Sequence, residues 1–104
     1  MLQINSNYND TIEQWEIQLA GELDVATAAE FRNALENAYE QKPANVVLQL
    51  EQLSYIDSTG LGIIIGAFGK MKNQNHAIRL IHPRQNVQKL LRITQLDKLL
   101  LEEN

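Results

Sequence analysis

The segment 55–62 (YIDSTGLG) contains the residues of this chain whose types and spacing best suit chemistry. An apolar run ends at Asp57, Ser58 follows with a hydroxyl group, and Gly60 and Gly62 add almost no side-chain bulk. Asp, Ser and Thr are preferred N-cap residues, so Ser58 is predicted to lie at or beside a helix N-cap. The free N–H groups and the positive dipole end of a first helical turn favour a phosphate placed there. The segment suits a switch better than a catalyst, although helix capping alone would also explain these residue types.

The glycines of this segment permit two interpretations. Gly60, Gly62 and Gly66 approximate the glycine loop of a dinucleotide-binding fold, but the second half of such a fold and its acidic ribose partner are missing. Each glycine also costs a helix up to ~1 kcal/mol relative to alanine. A surface that must come close to the helix backbone explains that cost better than a bound nucleotide.

Other chemistries find no support in the sequence. The chain has no cysteine, which excludes thiol catalysis, disulfides and thiolate metal sites. His76 and His82 have no carboxylate or second histidine at ligand spacing. Asp57 ends a predicted strand, as the phosphoacceptor of a receiver domain does, but the acidic pair and the lysine that a receiver needs are absent. We therefore expect a protein that is not an enzyme, with no metal site and no cofactor.

The elements that must position Ser58 follow from hydrophobic periodicity. Apolar and polar residues alternate over 13–19, which predicts a half-buried strand. Apolar residues recur at helical spacing over 25–41, after Asp24, and residues 45–50 are predicted to form a further strand. The remaining predicted elements are a strand around Leu2 and Ile4, a helix from Ser58 to about Asn73, a strand at 76–81, a helix from Pro83, and an undetermined apolar segment at 96–101. The order β-β-α-β-α-β-α, with right-handed crossovers, predicts a mixed sheet with packed helices. Asp24 is expected to cap its helix, or to precede the cap by one residue, and to lie close to Asp57 and Ser58 at one edge of the sheet.

The helix after Ser58 is apolar on more than one face. Leu61, Ile64, Ile65 and Phe68 are predicted to form a core stripe, which leaves Ile63 and Ala67 outside it. Together with the glycines, the apolar residues outside the stripe predict a docking surface.

The composition limits the classes of function. A chain of 104 residues predicts one domain over 1–104. Thirteen acidic and nine scattered basic residues give a net charge of −4, which argues against nucleic-acid binding. Residues 1–10 lack the features of a signal peptide, and no apolar run approaches the ~20 residues that span a bilayer. We expect a cytoplasmic protein with no membrane association.

The segments 21–24 (GELD) and 55–62 resemble the two signature segments of anti-sigma-factor antagonists of the STAS superfamily. The resemblance covers essentially the whole chain, including its length and the order of its elements. It implies an α/β fold, a STAS-like single domain with a mixed four- to five-stranded sheet and packed α-helices. In that family the serine after the aspartate is phosphorylated by a partner that is both a kinase and an anti-sigma factor. The phosphoacceptor implied here is Ser58, with Asp24 and Asp57 shaping the site.

The resemblance further implies partner switching. The unphosphorylated protein would bind the serine-kinase anti-sigma factor and free a sigma factor, phosphorylation of Ser58 would break that complex, and a PP2C-type phosphatase would restore it. ATP would belong to the kinase, and the pathway, stress response or sporulation, stays open. The alternative is a STAS interaction module of a non-sigma signalling complex or a transporter. The implied partner-binding residues are Asp24, Asp57, Thr59, Gly60, Leu61, Gly62 and Ile63.

Overall fold

A computed structural model describes residues 1–101 of the chain, which form four strands and four helices. In chain order the elements are β1 (Leu2–Asn9), β2 (Gln14–Leu23), α1 (Ala28–Gln41), β3 (Asn45–Ile56), α2 (Ser58–Lys72), β4 (Ile78–Ile81), α3 (Gln85–Ile93) and α4 (Asp97–Leu100). The undetermined C-terminal segment is thus a short helix, followed by a single parallel bridge between Leu101 and Leu80.

The strands form one mixed sheet in the order β1-β2-β3-β4. β1 and β2 pair antiparallel, whereas β2 with β3 and β3 with β4 pair parallel. The mixed sheet with packed helices confirms the fold that the element order predicted.

One face of the sheet carries the core. Along β2 the side chains of Trp15, Ile17 and Leu19 are buried, while Glu16 and Gln18 between them are exposed. The buried set forms one cluster with apolar side chains from α1, α2 and α3, so these helices cover the same face. The opposite face is largely polar and holds the exposed side chains of β2.

Two local predictions are wrong. α1 begins at Ala28 with Thr27 as its N-cap, and Asp24 lies three residues before that cap. The Asp24 carboxylate closes a turn instead, because its Oδ1 accepts hydrogen bonds from the backbone N–H groups of Ala26 (3.0 Å) and Thr27 (3.1 Å). The second wrong prediction concerns α2, where the Ile65 side chain is 43% exposed and is not part of the core stripe. Successive helical residues are rotated by about 100°, and Ile64 holds the core position.

Candidate functional site

The two signature segments meet at the carboxyl ends of two neighbouring parallel strands. Leu23 at the end of β2 lies opposite Ile56 at the end of β3. The backbone N–H of Asp57 donates to the carbonyl oxygen of Leu23 at 3.1 Å. Asp24 and Ser58, which follow these strands, therefore lie at one edge of the sheet, as the sequence predicted.

The Asp57 carboxylate connects the two segments. Asp57 is the N-cap of α2, and its Oδ1 accepts a hydrogen bond from the Gly60 N–H at 3.0 Å. Its Oδ2 accepts a second hydrogen bond, at 3.2 Å, from the Val25 N–H in the loop after β2. One side chain thus holds the first turn of α2 and the loop before α1 in a fixed relation, with its negative charge at the positive end of the helix.

Ser58 is the first residue of α2, one position after the cap. Its side chain is exposed, and no hydrogen bond joins its hydroxyl group to another atom within residues 1–101. Thr59 is exposed beside it. Because Asp57 performs the capping, the Ser58 hydroxyl has no structural task in this part of the chain and can be reached from solvent.

Gly60 and Leu61 lie beneath this surface. A Cβ atom at Gly60 would lie 2.6 Å from Leu23 Cγ and 3.1 Å from the Leu23 carbonyl oxygen. The close approach that requires glycine at this position is therefore internal, between α2 and the end of β2. The Leu61 side chain is only 5% exposed and packs in the core. Both residues position the site, and contact with a partner stays a prediction for them.

At Gly62 and Gly66 the outer surface of α2 carries no side chain. Apart from the adjoining residues and backbone of α2 itself, a Cβ atom at Gly62 or Gly66 would meet no heavy atom of residues 1–101 within 4 Å. Both glycines line a groove of about 380 Å³ between α1 and α2, together with the half-buried Ile63 and the exposed Thr59 and Arg32. The groove places accessible backbone directly beside Ser58.

Two exposed apolar side chains belong to the segments around Ser58 but were missed by sequence reasoning. Val25, in the loop held by Asp57, is 75% exposed, and Tyr55, near the end of β3, is 48% exposed. The helical spacing of the following residues had placed Val25 inside α1. The signal that could have corrected this is Asp24, since aspartate closes turns as readily as it caps helices.

The two histidines, His76 and His82, make hydrogen bonds to other side chains of the domain. The imidazole Nδ1 of His82 lies 2.8 Å from the Gln49 side-chain nitrogen, and the His76 ring is hydrogen-bonded to the Tyr39 hydroxyl. Over residues 1–101, His, Asp and Glu side chains form no cluster of three or more that could hold a metal ion. No helix in that range is long and apolar enough to cross a membrane.

Comparison with known proteins agrees with this geometry. The STAS domain family model matches residues 4–104. The anti-sigma-B factor antagonist of Bacillus subtilis (strain 168) is 34% identical over 95 residues, which cover 91% of this chain and 83% of that protein. The fold matches the anti-sigma factor antagonist SpoIIAA in its unphosphorylated form (TM-score 0.80, 24% identity, 100% of this chain and 89% of that chain). It also matches SpoIIAA from Bacillus in its phosphorylated form (TM-score 0.72, 23% identity, 100% and 92%). The chain belongs to the STAS domain family.

Proposed function

We propose that this chain is an anti-sigma factor antagonist whose activity is switched by phosphorylation of Ser58. The observation that carries the proposal is the exposed Ser58 hydroxyl at the first position of α2. Because Asp57 caps the helix, this hydroxyl has no hydrogen-bond partner among residues 1–101. The relationship to the Bacillus subtilis anti-sigma-B factor antagonist supports the class of partner. SpoIIAA, which has the same fold, exists in a phosphorylated and an unphosphorylated form, and this supports the kind of switch.

In the active state the surface around Ser58 binds an anti-sigma factor that has serine kinase activity, and the sigma factor is released. Val25 and Tyr55 offer exposed apolar area to that partner, and Gly62 allows its main chain to approach α2 closely. The carboxylates of Asp24 and Asp57 lie at the same edge and orient the loop and the first turn that the kinase must recognise. ATP is bound by the kinase, and this chain performs no catalysis.

Phosphorylation turns binding off through charge. A phosphoserine carries about −1.5 to −2 charges at neutral pH. Burying it against a partner without a matching cation costs several kcal/mol, whereas ~1.4 kcal/mol already changes an affinity tenfold. The neighbouring Asp24 and Asp57 add negative charge. A PP2C-type serine phosphatase restores the active form, and the cycle runs in the cytoplasm, where RNA polymerase and its sigma factors act.

The test is to locate the phosphate. Incubation with the cognate anti-sigma factor and ATP, followed by peptide mass spectrometry, should yield one phosphate per chain, on Ser58. A Thr59→Ala variant should be phosphorylated normally and a Ser58→Ala variant not at all. Phosphate on Thr59, or full phosphorylation of the Ser58→Ala variant, would overturn the assignment.

A further inference from the structure

The two edges of the sheet differ in how they are covered. β4 is four residues long, and Leu101 bridges to its Leu80. β1 is eight residues long and, within residues 1–101, pairs only with β2. The outer side of β1 is therefore the long free edge of the described sheet.

In the part of the chain that the structure describes, β1 has none of the features that usually prevent edge strands from pairing. Free edges are commonly protected by charged side chains, proline, bulges or a covering element. The sequence of β1, LQINSNYN, contains no charged residue and no proline. Its pairing with β2 runs through all eight residues without a register shift. The edge is thus regular and uncharged, and its outward backbone groups can pair with another strand.

The hydrogen-bond pattern identifies which backbone groups face outward. The Glu22 N–H donates to the Met1 carbonyl oxygen at 3.2 Å, so Met1 turns its carbonyl group toward β2. In an antiparallel pair this direction alternates along the strand. The N–H and C=O groups of the even-numbered residues therefore point away from the sheet. These residues are Leu2, Ile4, Ser6 and Tyr8.

We propose that β1 pairs antiparallel with β1 of a second copy of this chain, about a two-fold axis through Asn5. A strand with equal numbers of outward donors and acceptors is complementary to itself in this arrangement. Although the chain has a net charge of −4, none of that charge lies on β1, so like charges do not meet across the axis. On the open face Asn5 lies opposite its own copy and Gln3 lies opposite Asn7. Their amide side chains can donate and accept hydrogen bonds between the strands.

Pairing of two short strands buries less surface than the ~1,600 Å² of a standard stable interface, so the dimer should dissociate on dilution. Sedimentation equilibrium over a wide concentration range should show the mass rising from that of one chain toward twice that value. Asn5→Lys places two ammonium groups opposite each other, and Ser6→Pro removes an outward donor, so both variants should remain monomeric. Gln18→Lys, with the same charge change on the same face of β2, should dimerise as the parent does.

A crosslink tests the register independently. The chain has no cysteine, so Asn5→Cys introduces a single thiol. Directly opposite residues of this type have Cα atoms about 4.5 Å apart, within the range that a disulfide spans. Mild oxidation should covalently dimerise Asn5→Cys but not Gln18→Cys. A parent chain that stays monomeric at every concentration, Asn5→Lys dimerising like the parent, or equal crosslinking of both cysteine variants would overturn the proposal.

Discussion

At the start of α2, Asp57 caps the helix, and the hydroxyl group of the neighbouring Ser58 takes no part in the capping. The Asp57 carboxylate satisfies the N–H groups of Gly60 and Val25, while the Ser58 hydroxyl accepts and donates nothing within the described part of the chain. Sequence reasoning could not assign these tasks, because Asp and Ser are almost equally good N-caps. The backbone conformation shows which residue is the N-cap. Asp57 has the extended conformation of a cap, and Ser58 is already helical.

Removing the Asp57 carboxylate should cost stability. Asp57→Ala deletes both hydrogen bonds, and we expect the free energy of unfolding to fall by about 1–2 kcal/mol, the upper range for a lost cap. Asp10→Ala is the matched control, because Asp10 is exposed in the β1–β2 turn, and it should change stability by no more than about 0.5 kcal/mol. Urea unfolding followed by circular dichroism measures both variants. Equal stability of the two would contradict the role assigned to Asp57.

At the scale of elements, α2 is the part of the fold that the sequence predicted best. Its start, its length and its buried residues Leu61 and Ile64 follow from the Asp-Ser pair and the 3.6-residue period. The glycines were harder to interpret, because the sequence does not show what lies beside each one. Gly60 lies against Leu23 at the end of β2, which is far from Gly60 in the sequence, whereas Gly62 faces solvent.

Alanine substitution should separate these two glycines. Gly60→Ala forces the new methyl group against Leu23, including its backbone carbonyl, and should lower the thermal midpoint. Gly62→Ala meets open space and should raise stability by up to ~1 kcal/mol, since alanine favours the helix. If α2 is the docking surface, Gly62→Ala should nevertheless weaken binding of the anti-sigma factor.

Scanning calorimetry and titration calorimetry provide the two measurements. A Gly62→Ala variant that is more stable and binds its partner with unchanged affinity would remove that position from the docking surface. A Gly60→Ala variant as stable as the parent would mean that the contact with Leu23 relaxes without cost.

At the scale of the whole molecule, the sheet brings distant segments together. The antiparallel and parallel pairings follow from the element order, since a helix between two strands of one sheet makes them parallel. The sequence therefore predicted that Asp24 would lie close to Asp57. It did not predict the exposure of Val25, because that depends on where α1 begins relative to β2.

Phosphorylation should act on binding and leave this architecture unchanged. Ser58 is exposed at the positive end of α2, where a phosphate is electrostatically tolerated. Ser58→Asp should keep the thermal midpoint and amide spectrum of the parent but bind the anti-sigma factor at least tenfold more weakly, while Ser58→Ala still binds. Titration calorimetry with heteronuclear amide spectra checks both points. Tight binding by Ser58→Asp would exclude charge repulsion, and spectral changes throughout the domain would indicate a conformational switch.

The bond between the Asp57 carboxylate and the Val25 N–H has a consequence for the thermodynamics of association. Because the same carboxylate also caps α2, a hydrogen bond ties the loop after β2 to the side chain at which the helix begins. If this surface binds the proposed partner, it is therefore ordered before that partner arrives. Little conformational entropy has to be lost in this chain on binding. Discrimination between Ser58 and its proposed phosphorylated form would then depend on direct fit of the partner to an ordered surface, not on a folding transition.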